Sequence, residues 1–273
     1  MSDMNNAYIS GKYVKKYLLC SGSFGKVYLA NRIDTGETLV IKIIKKVNGN
    51  TENKIKRDTE IPKIIEHPNI VKINDFIETD THAFVVYPYI DNSICLSKIK
   101  RQELNFENKS KLEYMLNMMC QICDAIEFMH SKFVVHRDIK PQNIVVSPHL
   151  AILIDFDLAF IMNNSKYPLR KGIIGTPNYL APEIWKNCDD ICYQLTDIYS
   201  FGVTLYFVFN KKKLPYIADK IEDLEYEIRH SNPIPSNSGY PALDRLIMDI
   251  ISKDPNTRPT ITYIKDSLRK IIN

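Results

Sequence analysis

At 273 residues the chain is long enough for one large domain or two lobes around a substantial buried core. A hydrophobic share of 45% with 25% charged residues excludes a disordered or low-complexity chain, and a net charge of +4 is too small to argue for a polyanionic partner. The six cysteines, at 20, 95, 120, 123, 188 and 192, lack the spacing of a disulfide framework, and no apolar run approaches the ~18 residues of a membrane span.

No signal-peptide or lipidation pattern is present, so an intracellular location, cytoplasmic or nuclear, is expected, with neither membrane nor nucleic acid as partner. The basic runs at 45–46 and 211–213 read as solvated surface, because stacking aromatics do not interleave them. Residues 1–12 carry no periodic pattern and read as a polar leader. From Tyr13, alternating and β-branched runs broken by SGSFG and DTGE predict three strands joined by tight turns, with Gly22 and Gly25 in the first turn and Lys42 on the third strand. A glycine turn alone is common, and a lone strand lysine is usually solvated.

Residues 52–66 predict a helix that Pro62 shortens or bends. Strands are expected at 70–77 and 82–87, followed by the polar stretch YPYIDNS. Over 107–131 the residues Leu112, Met115, Met119, Ile122, Ile126 and Met129 recur at helical spacing and predict a buried stripe. Cys120 and Cys123 form a CxxC within that helix, with no second pair to complete a zinc site, so packing explains them. Further helices are predicted at 196–210, 217–229, 241–252 and 259–271.

The stretch 133–157, FVVHRDIKPQNIVVSPHLAILIDFD, holds short β-branched runs that end in polar residues. His136, Arg137, Asp138, Lys140, Asn143 and Asp155 fall at those ends, a set suited to phosphoryl transfer from a metal-bound nucleotide. Turn chemistry alone would explain an Asp or an Asn, but not HRDxKPxN followed by DF at this distance.

HRDIKPQN and IDFD resemble the catalytic loop and the magnesium-binding motif of the eukaryotic protein kinase family, and HRDxK with GTPNY resembles its serine/threonine class. The resemblance covers 13–271 and implies an α+β bilobal fold: an N-terminal antiparallel sheet with one helix (about 13–88), a hinge (about 88–92) and a mostly helical C-terminal lobe (about 93–271). By it, Asp138 is the catalytic base, Lys140 steadies the transferred phosphoryl group, and Asn143 and Asp155 bind Mg²⁺ or Mn²⁺. ATP would be held by Lys42, by the glycine-rich loop with Cys20, Gly22 and Gly25, and by an apolar sleeve of Leu19, Val27, Val40 and Val145. Tyr87 falls at the gatekeeper position, and Pro88 (carbonyl) and Ile90 (N–H) would bond adenine. The resemblance further implies that Glu183 pairs with Arg258 and that Asp197 braces the catalytic loop.

Four departures stand out. Cys20 replaces the first loop glycine, Val40 an alanine, and Asp157 the glycine of the metal motif, where a left-handed backbone is expected and the carboxylate either binds metal or faces solvent. Gly172 occupies the position where many members carry an activating phosphate, the nearest upstream hydroxyls being Ser165 and Tyr167. The acid that pairs with Lys42 is Asp58 by gapless counting or Glu60 by residue type, and a third reading leaves both solvated. An ATP-dependent protein serine/threonine kinase is the leading expectation. A pseudokinase or nucleotide-binding interaction module with weak transfer, and a kinase-like enzyme acting on a small molecule, are the alternatives. Nothing in the sequence fixes the oligomeric state.

Overall fold

The alternating runs after Tyr13 become strands because each buries one side-chain set per face. In the computed structural model, which describes residues 8–22, 25–46, 51–162, 172–186 and 191–272, β1 (Tyr8–Ile9), β2 (Tyr13–Gly22), β3 (Gly25–Arg32), β4 (Thr38–Lys45), β5 (Asp75–Glu78) and β6 (His82–Pro88) form one antiparallel sheet in the order β1-β2-β3-β4-β6-β5. Residues directly opposite in such a ladder share a face. Ala30 opposite Leu39 and Ile41 opposite Val86 therefore place one core on one face, joined by Ile9 and Tyr13. Leu39 and Ile41 are fully buried, which stabilises the sheet by about 1.5–3 kcal/mol for each side chain. The other face carries Ile44, Ala83 and Val85, with Ile55 of α1 (Thr51–Ile64) packed against them.

Three expectations change here. The leader is not wholly outside the sheet, because Ile9 is buried and Tyr8–Ile9 pairs with Tyr13–Val14. The strand expected at 70–77 begins only at Asp75, and Ile70, its expected first residue, belongs to the second unit. Ile70 N–H closes a turn on His67 O at 3.0 Å, Ile70 bridges Leu153, and Asn69 Nδ2 donates to Ala151 O at 2.8 Å. Pro62 lies in the last turn of α1, which ends at Ile64, two residues before the expected end, and Ile65 N–H still donates to Ile61 O at 3.2 Å.

The chain accordingly divides into two compact units, one reaching Glu66 and adding Val71–Asp91, the other made of His67–Ile70 and the residues from Asn92. The second unit is built on α2 (Lys109–Ser131), whose start is fixed by Asn108, the side chain accepting from Ser110 N–H and Lys111 N–H. Its stripe of Leu112, Met115, Met119, Ile122, Ile126 and Met129 is buried as predicted. Cys120 and Cys123 lie in the same interior, and burial pushes both thiols up, that of Cys120 to about 11. Cys188, Ser165 and Tyr167 lie outside the described residues.

Short strands β7 (Ile94–Cys95), β9 (Ile144–Val146) and β10 (Ala151–Leu153) make one small sheet, and β8 (Val134–Val135) with β11 (Phe160–Ile161) another. The helices α3 (Pro182–Trp185), α4 (Tyr193–Phe209), α5 (Ile221–His230), α6 (Pro241–Ile250) and α7 (Ile261–Ile272) complete the unit. The short α3 was not foreseen from sequence, and α4 starts three residues earlier than expected. Lys212, in a run read as solvated, donates to Ser97 O at 2.8 Å. Among the described residues no helix is long and apolar enough to cross a membrane.

Candidate active site

In the first unit the third-strand lysine is not solvated. Strand alternation puts Lys42 on the face that α1 covers, between Val40 and Ile44, and its Nζ meets Asp58 Oδ2 at 2.6 Å with side-chain exposures of 9% and 2%. Asp58, not Glu60, is therefore the acid partner. Val40 lies opposite Tyr87 and Leu39 opposite Pro88, so these two residues extend β6 alongside β4. Cys20 pairs with Val27 and Gly22 with Gly25, closing the β2–β3 hairpin; Ser23 and Phe24 at its tip lie outside the described residues. Gly25 has a structural reason to be glycine, since a Cβ there would collide with Ile43 O. Leu19 and Ile90 are half-buried, and Val27 lies directly opposite Lys42.

In the second unit the predicted catalytic residues converge. Asp138 is 3% exposed and both of its oxygens are engaged. Oδ2 accepts from Lys140 Nζ at 2.6 Å and from Asn143 Nδ2 at 3.1 Å. Oδ1 accepts from Thr176 N–H at 3.1 Å and from Thr176 Oγ1 at 2.7 Å. Lys140 Nζ also donates to Thr176 Oγ1 at 2.6 Å. The loop backbone is held from α4, where Asp197 accepts from the N–H groups of His136 and Arg137, each at 2.9 Å. His136 Nε2 lies 3.1 Å from Ile154 O and its Nδ1 accepts from Asp138 N–H at 3.3 Å, which assigns the ring proton to Nε2. Gly175 supplies the close approach on the other side: with φ 129°, a Cβ there would lie 2.8 Å from Arg137 O.

The metal-binding candidates share this frame. Asn143 Nδ2 donates to Asp138 O at 2.9 Å as well as to Oδ2, so the amide oxygen is the end it can offer a cation. Ile154 N–H donates to Asn143 O at 2.9 Å, which seats Asp155 beside it. An amide oxygen and a carboxylate are hard donors that fit a magnesium-like ion. Asp155 takes the left-handed φ of 70° expected at Asp157, and Asp157 does not. Asp157 is instead 3% exposed, which corrects the expectation of a solvent-facing carboxylate. Val145 is half-buried in the middle of β9, paired with Ile152 and Cys95.

The remaining ion pair forms as expected. Arg258 Nη1 and Nη2 reach Glu183 Oε1 and Oε2 at 2.6 and 2.8 Å, and Arg258 also donates to Leu195 O and Ser252 O. Sequence reasoning missed His130, whose Nε2 lies 3.0 Å from Asp197 Oδ2; a histidine in the last turn of an apolar helix reads as a C-terminal cap. It also missed that Thr176 contacts Asp138, a pairing 38 positions apart in the chain.

The family model described as protein kinase domain matches residues 13–268. A protein of Acanthamoeba polyphaga mimivirus, named as a putative serine/threonine-protein kinase, is 47% identical over 245 residues, covering 89% of this chain and 88% of its own. CBL-interacting protein kinase 24 of Oryza sativa subsp. japonica is 31% identical over 94% of this chain and 56% of its own. Calcium-dependent protein kinase 6 of Plasmodium berghei (strain Anka) is 34% identical over 90% of this chain, which spans only 16% of that protein. With this match over nearly the whole chain, and with Lys140 and Asn143 both bonded to Asp138, the chain belongs to the protein kinase family and is a protein serine/threonine kinase.

Proposed function

We propose that, in the transfer of phosphate from ATP to protein that this family catalyses with a divalent metal, Asp138 is the base that takes the proton from a substrate serine or threonine hydroxyl. What supports this reading is the hydroxyl already on it: Thr176 Oγ1 donates to Asp138 Oδ1 at 2.7 Å, within the span of about 2.6–3.2 Å that proton transfer requires. Lys140, whose ammonium bonds both Asp138 and Thr176, places positive charge where the transferred phosphoryl group gains negative charge. Asn143 and Asp155 would hold Mg²⁺ or Mn²⁺, which would supply positive charge to the phosphates. Lys42, oriented by Asp58, takes the α and β phosphates. The backbones of Cys20, Gly22 and Gly25 cover them, Leu19, Val27, Val40 and Val145 contact adenine, and Pro88 O and Ile90 N–H bond it. The kinase domain runs over 13–271.

The substitution Asp138→Asn keeps the shape of the residue and removes its basicity. Turnover should fall by a factor on the order of 10²–10⁴ with nucleotide affinity unchanged. Turnover at the native rate in the Asp138→Asn variant removes Asp138 from the mechanism.

A further inference from the structure

Next to the base lies a side chain to which this mechanism gives no task. Arg137 is 6% exposed and its backbone takes φ 69°, a strained conformation for a residue with a Cβ. Its N–H is held by Asp197 Oδ1 at 2.9 Å, and its carbonyl oxygen is packed against Gly175. The guanidinium lies against two rings, its Cζ 5.7 Å from the centroid of Phe160 and 5.4 Å from that of Tyr193. The rings meet edge to face, 5.2 Å apart at 86°.

We propose that Phe160 and Tyr193 are positioning residues for phosphoryl transfer: they hold the Arg137 guanidinium by cation–π contact and thereby fix the backbone that presents Asp138. The inference rests on Asp138 being the base. Both rings come from elements already tied to the loop. Phe160 lies in β11 directly opposite Val135, two residues before Arg137. Tyr193 opens α4, and Asp197 follows it by four residues, so both lie on one face of the helix. A single helix thus holds Arg137 at two points, by a ring on the side chain and by a carboxylate on the N–H. A guanidinium in a desolvated setting gains most from such a ring. A displacement of the loop by a fraction of an ångström moves the base out of line with the substrate hydroxyl, and therefore acts on turnover. The clamp consists of side chains of the unmodified chain, so it works without a phosphate.

The test uses the full chain treated with phosphatase. Tyr193→Phe keeps the ring and should retain turnover within about twofold. Tyr193→Leu and Phe160→Leu should each lower kcat by about tenfold, the loss expected for one desolvated cation–π contact, with KM for ATP within twofold. In an Arg137→Leu background, Tyr193→Leu should add nothing. A second readout is independent of activity: amide exchange of the peptide 134–140 should quicken about tenfold in Tyr193→Leu and stay unchanged in Tyr193→Phe. If Asp138→Asn leaves turnover intact, the base assignment fails and the exchange measurement still decides the clamp. Native exchange in Tyr193→Leu, or an additive loss with Arg137→Leu, overturns the proposal.

Discussion

The Lys42–Asp58 pair offers a perturbation whose size follows from its burial. The ammonium and the carboxylate lie 2.6 Å apart; at an effective dielectric constant of about 20 their attraction is about 6 kcal/mol. Desolvation offsets most of that gain, at several kcal/mol per ion, so the pair adds little net stability relative to two apolar residues. Removing one partner is different, since it leaves the other charge in the interior. Asp58→Asn should destabilise the protein by about 3–5 kcal/mol, read in urea as a lower midpoint at unchanged slope. The double substitution Lys42→Met with Asp58→Leu should recover most of that stability and none of the phosphotransfer, because it restores apolar packing but not the phosphate-binding charge. Glu60→Gln, the competing acid, should cost clearly less than Asp58→Asn. Equal losses for Asp58→Asn and Glu60→Gln would refute the pairing. Recovery of activity in the double variant would refute the role of Lys42.

Glu183→Gln removes one side of the bidentate pair with Arg258, whose side chain is 0% exposed against 13% for Glu183, and should cost about 3–5 kcal/mol in urea unfolding; a loss under 1 kcal/mol contradicts it. Burial holds His67, stacked on Phe128, below its ordinary value of 6.5. The unfolded chain therefore binds more protons, and this stability is present at neutral pH and lost as pH falls from 6.5 through the folded value. His67→Gln should flatten the dependence of the urea midpoint on pH in that window, and an unchanged slope would remove His67 as its source. With Gly172 at the usual activating position, protein made in bacteria and stripped by phosphatase should keep its activity. A loss reversed only by phosphorylating residues 165–176 sinks that expectation. Asp157→Gly should change initial rates at any metal concentration by less than about tenfold, near 1.4 kcal/mol. Transfer that appears only in the glycine variant would show that Asp157 disables the native chain.

Much of the architecture was legible because it is periodic. Alternation over 13–46 and the stripe from Leu112 to Met129 each repeat often enough to fix both element type and buried face. The partner of Lys42 was also legible: gapless counting gave Asp58 where residue type favoured Glu60, and helical position points to the same residue. At 100° per residue, Ile55, Asp58, Ile61, Pro62 and Ile65 fall on one side of α1, while Glu60 falls on the opposite side. Ile55, Ile61 and Ile65 are buried at 4%, 0% and 0%, so a charge among them is the one drawn inward, toward another buried charge. By contrast, the Ile70–Val71 run reads as a strand in any local window. Its place is decided by Asn69, bonded to Gln121 and Ala151, residues that no window contains.

The metal motif shows why one-residue conformational preference fails at such a site. Asp tolerates a left-handed backbone, so an Asp in the glycine position at 157 invited the inference that it adopts one. The conformation falls two residues earlier, at Asp155, because longer-range bonds leave no other place for the turn. Ile154 is fixed at both of its backbone polar groups, its N–H by Asn143 O at 2.9 Å and its carbonyl by His136 Nε2 at 3.1 Å. Phe156 is fixed next, fully buried with its ring edge-on to His136 at 4.7 Å. Between two anchored neighbours only Asp155 is left to absorb the change of direction, and a residue held this way carries strain of order 1–3 kcal/mol that its surroundings must offset. Those surroundings are the catalytic loop itself. Asn143 and His136, which bond Ile154 and so force the turn at Asp155, also bond Asp138 through other atoms, so the proposed base and the proposed metal-binding carboxylate share one network.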